Sequence, residues 1–129
     1  MRILLDTHIW LWRLLEPHRI PPHIGDVLDL AENQLLLSPI SVWETLVLAR
    51  KGRLRLEPDP VRWVRRALQE SRLEMVPLTH QIAIKSEELT DLSSVDPADR
   101  FLAATAVVEG LTMATTDRAL YDYDGLETL

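Results

Sequence analysis

The sequence has no cysteine. That excludes a disulfide framework and any thiolate-held metal or redox centre, and it fits a reducing compartment. No apolar run approaches the roughly 20 residues needed to span a bilayer. The opening apolar stretch, Ile3-Leu4-Leu5, is too short for the hydrophobic region of a signal peptide and stops at Asp6. A soluble, cytoplasmic protein without a membrane partner is expected. G-x-S-x-G, P-loop and G-x-G-x-x-G patterns are also missing, so acyl transfer and nucleotide-fold readings have no motif to rest on. An overall cationic excess is missing too. Lys and Arg total 14 against 20 Asp and Glu, a net charge of −6, which on bulk charge argues against a phosphate-binding surface.

What is present changes that argument. The 129 residues, 47% of them apolar, are enough for one domain over 1–129 with a real core. Charge is segregated along the chain. Arg50, Lys51, Arg53, Arg55, Arg62, Arg65, Arg66 and Arg72 fall in one segment. Beyond Ser86, ten acids face only Arg100 and Arg118. A basic middle and an acidic end imply two surfaces with different partners, a solvated arginine face being the plainer reading of the first.

Short apolar runs without alternation, "RILLD", "QLLLSP", "LEMVPL" and "LTMATTD", read as buried strands, with "GLETL" as a short edge strand. Between them lie helical segments: "HIWLWRLLE", "PPHIGDVLDLAEN" ending near Asn33, "SVWETLVLARKG" with Ser41 as N-cap, "VRWVRRALQESR", "THQIAIKSEELTDL", the helix after Asp96-Pro97 ending at Gly110, and "RALYDY". Strand–helix alternation predicts an α/β fold, three-layer α/β/α, with a mostly parallel central sheet.

In such a sheet ligands bind beyond the carboxyl ends of the strands. Asp6 closes the first strand and Asp117 follows the last. Glu44 lies near the start of the helix after "QLLLSP", and Asp99 in the first turn of its own helix. If the first and last strands are neighbours, four acids from four parts of the chain meet at one edge. Ionised carboxylates that share a pocket need a cation, and an all-oxygen site selects Mg²⁺ or Mn²⁺. Each acid also has a structural reading. Asp96-x-x-Asp99 and Ser41-x-x-Glu44 match capping boxes, and Asp117 would cap the last short helix. Asp6 has no helix near it that evidently needs a cap. The histidines show no ligand spacing, His8 reading as packing or a helix start. Trp10, Trp12, Trp43 and Trp63 read as core or interface anchors.

Taken together, "LLDTHIWLW", "SPISVWE", "DPADRFLAATA" and "TTD" resemble the PIN domains, specifically the VapC-type toxins of prokaryotic toxin–antitoxin pairs. The resemblance runs along nearly the whole chain, with the motifs in family order. It implies a PIN-like fold and endoribonuclease activity dependent on Mg²⁺ or Mn²⁺. It implies a metal-binding quartet of Asp6, Glu44, Asp99 and Asp117, with the Thr115 hydroxyl positioning a water or backbone and Asp96 kept as a cap. It further implies an RNA substrate, a homodimer and a cognate antitoxin. The alternatives are a catalytically inactive PIN-fold binding module and a PIN ribonuclease outside any such pair. A haloacid-dehalogenase-like phosphatase would need D-x-D after the first strand, where this chain has Asp6-Thr7-His8.

Overall fold

Ile3, Leu4 and Leu5 are completely buried, because the first strand lies in the middle of the sheet with both faces covered. A computed structural model describes residues 1–129. Strand β1 (Arg2–Leu5) pairs in parallel with β2 (Gln34–Leu37) on one side and with β4 (Thr112–Ala114) on the other. The two-residue β3 (Glu74–Met75) pairs in parallel with β2, giving the order β3-β2-β1-β4. The chain thus winds outward from β1 through β2 and β3, then returns to the far side of β1. The carboxyl ends of β1 and β4 flank the point where strand order reverses.

Seven α-helices connect these strands: α1 (Thr7–Leu15), α2 (Pro22–Leu28), α3 (Pro39–Arg50), α4 (Pro60–Glu70), α5 (His80–Glu88), α6 (Pro97–Glu109) and α7 (Arg118–Tyr121). Four of them open on a proline, whose fixed φ and missing N–H suit the first helical position. Gly110 ends α6 in the left-handed conformation, φ +65°, which a glycine adopts without steric cost.

The two-residue period of the strands sorts their side chains into two layers. Leu4, Leu36 and Met113 pack with Ile82, Leu102 and Leu120 from α5, α6 and α7. Ile3, Leu5, Leu37 and Ala114 pack with Ile9, Trp10, Ile24 and Leu28 from α1 and α2, with Trp63 of α4 against the same layer. Each fully buried Ile or Leu contributes about 1.5–3 kcal/mol. The expected α/β/α layering with a parallel sheet is therefore observed. No helix is long and apolar enough to cross a membrane.

Several element boundaries differ from the sequence reading. Helix α3 starts at Pro39 under a Ser38 cap, whose hydroxyl accepts the Ile40 N–H at 3.0 Å. Ser41 therefore lies inside the helix, and no Ser41–Glu44 capping box forms. Helix α2 stops at Leu28 rather than near Asn33, whose side-chain amide instead donates to the Val27 carbonyl. Helix α5 ends at Glu88, and Thr90–Leu92 form a separate 3-10 turn. The final segment joins β4 through a single parallel bridge between Met113 and Thr128.

Candidate active site at the carboxyl edge of the sheet

Hydrogen bonding between β1 and β4 continues one residue past β1. The Asp6 N–H donates to the Ala114 carbonyl at 3.0 Å, which fixes Asp6 on the rim of the sheet. Its carboxylate accepts the His8 N–H at 3.3 Å and so caps α1. This corrects the sequence reading in which no nearby helix needed Asp6: α1 begins at Thr7, one residue earlier than the hydrophobic pattern implied. The other carboxylate oxygen accepts the Thr115 hydroxyl at 2.7 Å. Asp6 is only 4% exposed. Burial pushes its pKa up, the Thr115 hydrogen bond and the nearby His8 oppose that, and Asp117 adds to it.

Thr115 ties the first strand's end to the last. While donating to Asp6, its hydroxyl oxygen accepts the Asp117 N–H at 3.0 Å. The Asp117 carboxylate accepts the Ala119 N–H at 2.9 Å and caps α7. Asp6 and Asp117 thus share one buried hydroxyl between them. The sequence suggested that Thr115 positions a water or backbone; its bonded partners here are a carboxylate and a backbone N–H.

Glu44 comes from α3 and Asp99 from the first turn of α6. Burial raises the Glu44 pKa, the Thr7 hydroxyl beside it pulls the other way, and Asp6 and Asp96 add repulsion. One Glu44 carboxylate oxygen, Oε1, is buried with no hydrogen-bond partner. The Asp99 carboxyl is pushed up to about 7, first by burial and then by Asp6, Glu44, Asp117 and Asp96 in turn. Asp96 caps α6 by accepting the Ala98 N–H at 2.9 Å. The bonded N–H is that of Ala98 and not of Asp99, and Asp99 makes no return bond, so no capping box forms. Asp99 therefore lies within electrostatic reach of Asp6, Glu44 and Asp117, and Asp6 within reach of Asp117.

That cluster is suited to a divalent cation in its chemistry. It offers only carboxylate oxygens, it leaves one of them buried and unpaired, and burial and mutual repulsion hold Asp99 partly protonated near neutrality. The carboxylates are not closed into a ready chelate: no three His, Asp or Glu side chains form such a set. Mg²⁺ commonly keeps several waters and takes only one or two carboxylates directly, so an open arrangement is compatible with it.

Two hydroxyls at this edge have a part that the sequence reading did not give them, Thr7 having no assigned role and Ser41 being read as an N-cap. Thr7 and Ser41 are fully buried, and the Thr7 hydroxyl donates to Ser41 Oγ at 2.8 Å. The only signal for them was adjacency, Thr7 following Asp6 and Ser41 standing three residues before Glu44. His8 lies in the first turn of α1, exposed, with its ring 6.0 Å from that of Trp12. Trp10 is core, whereas Trp43 is 57% exposed on α3. The basic segment runs from the end of α3 through α4. Its arginines are exposed, with Arg55 and Arg66 paired to Glu57 and Glu70.

Known proteins share the family and the fold of this chain. The family model for the PIN domain matches residues 3–126. Ribonuclease VapC22 of Mycobacterium tuberculosis (strain ATCC 25618 / H37Rv) is 30% identical over 118 residues, covering 92% of this chain and 88% of that protein. Among solved structures, VapBC2 from Rickettsia felis, bound to a DNA fragment from its promoter, superposes with a TM-score of 0.74 at 21% identity. That match covers 100% of this chain and 98% of the other. DNA-bound VapBC from Salmonella typhimurium gives 0.74 at 24% identity, covering 100% and 97%.

Proposed function

The chain belongs to the PIN domain family, and on that premise we propose that it is a divalent-metal-dependent endoribonuclease, the toxin of a toxin–antitoxin pair. The observation that carries the reading is the convergence of Asp6, Glu44, Asp99 and Asp117 on one edge, with Glu44 Oε1 buried and unpaired. The VapC ribonuclease relative and the VapBC complexes of the same fold support it.

Asp6, Glu44, Asp99 and Asp117 would hold Mg²⁺ or Mn²⁺, which when bound supplies positive charge to a phosphodiester oxygen and acidifies a water. The protein's own part is positional. Asp6 is locked by three hydrogen bonds: its N–H to Ala114, and its carboxylate to His8 and Thr115. Thr115 keeps Asp117 alongside it. Burial and the neighbouring Asp6, Glu44 and Asp117 raise the Asp99 pKa to about 7, so positive charge at this edge would favour its ionised form. Asp6 and Asp117 also cap α1 and α7, but helix capping gives no reason for Glu44 and Asp99 to be held beside them with raised pKa values.

RNA is the proposed substrate, its backbone tracking along Arg50, Lys51, Arg53, Arg62, Arg65 and Arg72. A second copy of the chain and a cognate antitoxin are the proposed protein partners, for which exposed Leu14, Leu15, Trp43 and Ile84 offer apolar surface. Incubating the purified protein with RNA, with and without EDTA, tests the reading. Cleavage that leaves 5′-phosphate ends, stops in chelator and returns with Mg²⁺ or Mn²⁺ is expected. Undiminished cleavage in EDTA would overturn the metal dependence, and cleavage by Asp6→Asn at the wild-type rate would overturn the site.

A further inference from the structure

The hydroxyl pair of Thr7 and Ser41 has no part in the reading above. Both side chains are 0% exposed, and both sit where two acid-bearing elements meet. Thr7 is the first residue of α1 and follows Asp6 directly. Ser41 lies one helical turn before Glu44, on the same side of α3. Their 2.8 Å hydrogen bond joins positions 34 residues apart in the chain. Backbone bonds secure Ser41 within its own helix. The Ser41 N–H donates to the Ser38 carbonyl at 3.0 Å, and the Ser41 carbonyl accepts the Thr45 hydroxyl at 2.8 Å. The Thr7 side chain thus bonds across to α3, not within its own helix.

Glu44 differs from Asp6 in how it is held. Asp6 is fixed by Thr115 and His8. Glu44 has a buried Oε1 with no hydrogen-bond partner. Its distance from Asp6 is therefore set by how α1 and α3 are joined at their first turns. The Thr7–Ser41 bond is the one buried side-chain hydrogen bond between those turns.

We infer that Thr7 is a positioning residue: through its hydroxyl bond to Ser41 it sets the separation of the Asp6 and Glu44 carboxylates, and so the affinity of the edge for a divalent cation. This rests on the reading of the acids as a metal site. Outer partners of metal ligands typically govern about 10–100-fold in affinity.

The test is Mn²⁺ titration of the full chain by calorimetry, alongside thermal melting and the kcat and KM for RNA cleavage. Thr7→Val keeps the shape and removes the hydroxyl. It should weaken Mn²⁺ binding about tenfold or more and lower kcat at subsaturating Mn²⁺, with KM for RNA unchanged. Excess Mn²⁺ should restore kcat, which a purely structural defect would not allow. Thr7→Ser should keep wild-type affinity. Ser41→Ala should weaken binding like Thr7→Val, and the double variant should be no worse than either single one. If Thr7→Val does not fold, Ser41→Ala carries the same test. Wild-type Mn²⁺ affinity in a folded Thr7→Val or Ser41→Ala would overturn this inference alone. Absence of Mn²⁺ binding by the wild type would remove the metal reading and this inference with it.

Discussion

The carboxyl edge and the Arg50–Arg72 segment carry opposite charge, and they are built in opposite ways. At the edge, each acid is brought in by a separate element. Asp6 and Thr115 are buried, and hydrogen bonds of 2.7 to 3.3 Å fix Asp6 and Asp117. In the basic segment the charges are contiguous in sequence and exposed, and Arg55 and Arg66 have only local partners at 2.8 and 3.0 Å. A like-charge cluster held under burial stores repulsion that a dication relieves. A chain of exposed arginines stores nothing and acts through screened, long-range attraction. The first is suited to chemistry at a point, the second to tracking a polyanion.

Substitutions should separate these two designs sharply. Asp6→Asn or Asp99→Asn should reduce RNA cleavage by about a thousandfold or more, with the melting temperature kept or raised because a buried charge is gone; circular dichroism melting with the cleavage assay reads both. Thr115→Val should cost about 10–100-fold in cleavage, since it frees both Asp6 and the Asp117 N–H. Combined Arg62→Glu and Arg65→Glu should weaken RNA binding by about tenfold at low salt and flatten its salt dependence, leaving Mn²⁺ affinity unchanged. An unaltered salt slope in fluorescence anisotropy would return that face to simple solvation.

A smaller effect concerns pH. The Asp99 pKa is higher in the folded chain, about 7, than the ordinary 3.8. Between those values the folded state binds more protons than the unfolded one, so metal-free stability should fall as pH rises through that window. Melting temperatures from pH 4 to 7.5 in EDTA should decline, less so in Asp99→Asn. Smallest of all, Arg66→Ala breaks an exposed pair with Glu70 and should change stability by less than about 1 kcal/mol.

Much of the fold was legible because it depends on local signals. Buried strands read as short apolar runs, and Pro22 and Pro97 marked helix starts. The misread starts at α1 and α3 have a common cause. At Asp6 and Ser38 a strand end and a helix cap coincide, so no loop intervenes to separate the two patterns. The candidate acids were legible as residues at element ends. The partners that hold them were not: the Thr115–Asp6 bond spans 109 residues and the Thr7–Ser41 bond 34. Thr7 carries no sequence signal of its own, and Thr115 stands out only through the family resemblance.

The amino-acid order by itself determined which stretches are strands and helices, that the sheet is parallel, and which acids stand at element ends, because hydrophobic period and capping act within a few residues. Tertiary structure alone decided that β4 lies beside β1, that Thr115 is shared by Asp6 and Asp117, and that one Glu44 carboxylate oxygen is buried and unpaired. Those depend on which distant segments pack together, and burial and repulsion between carboxylates exist only once they do.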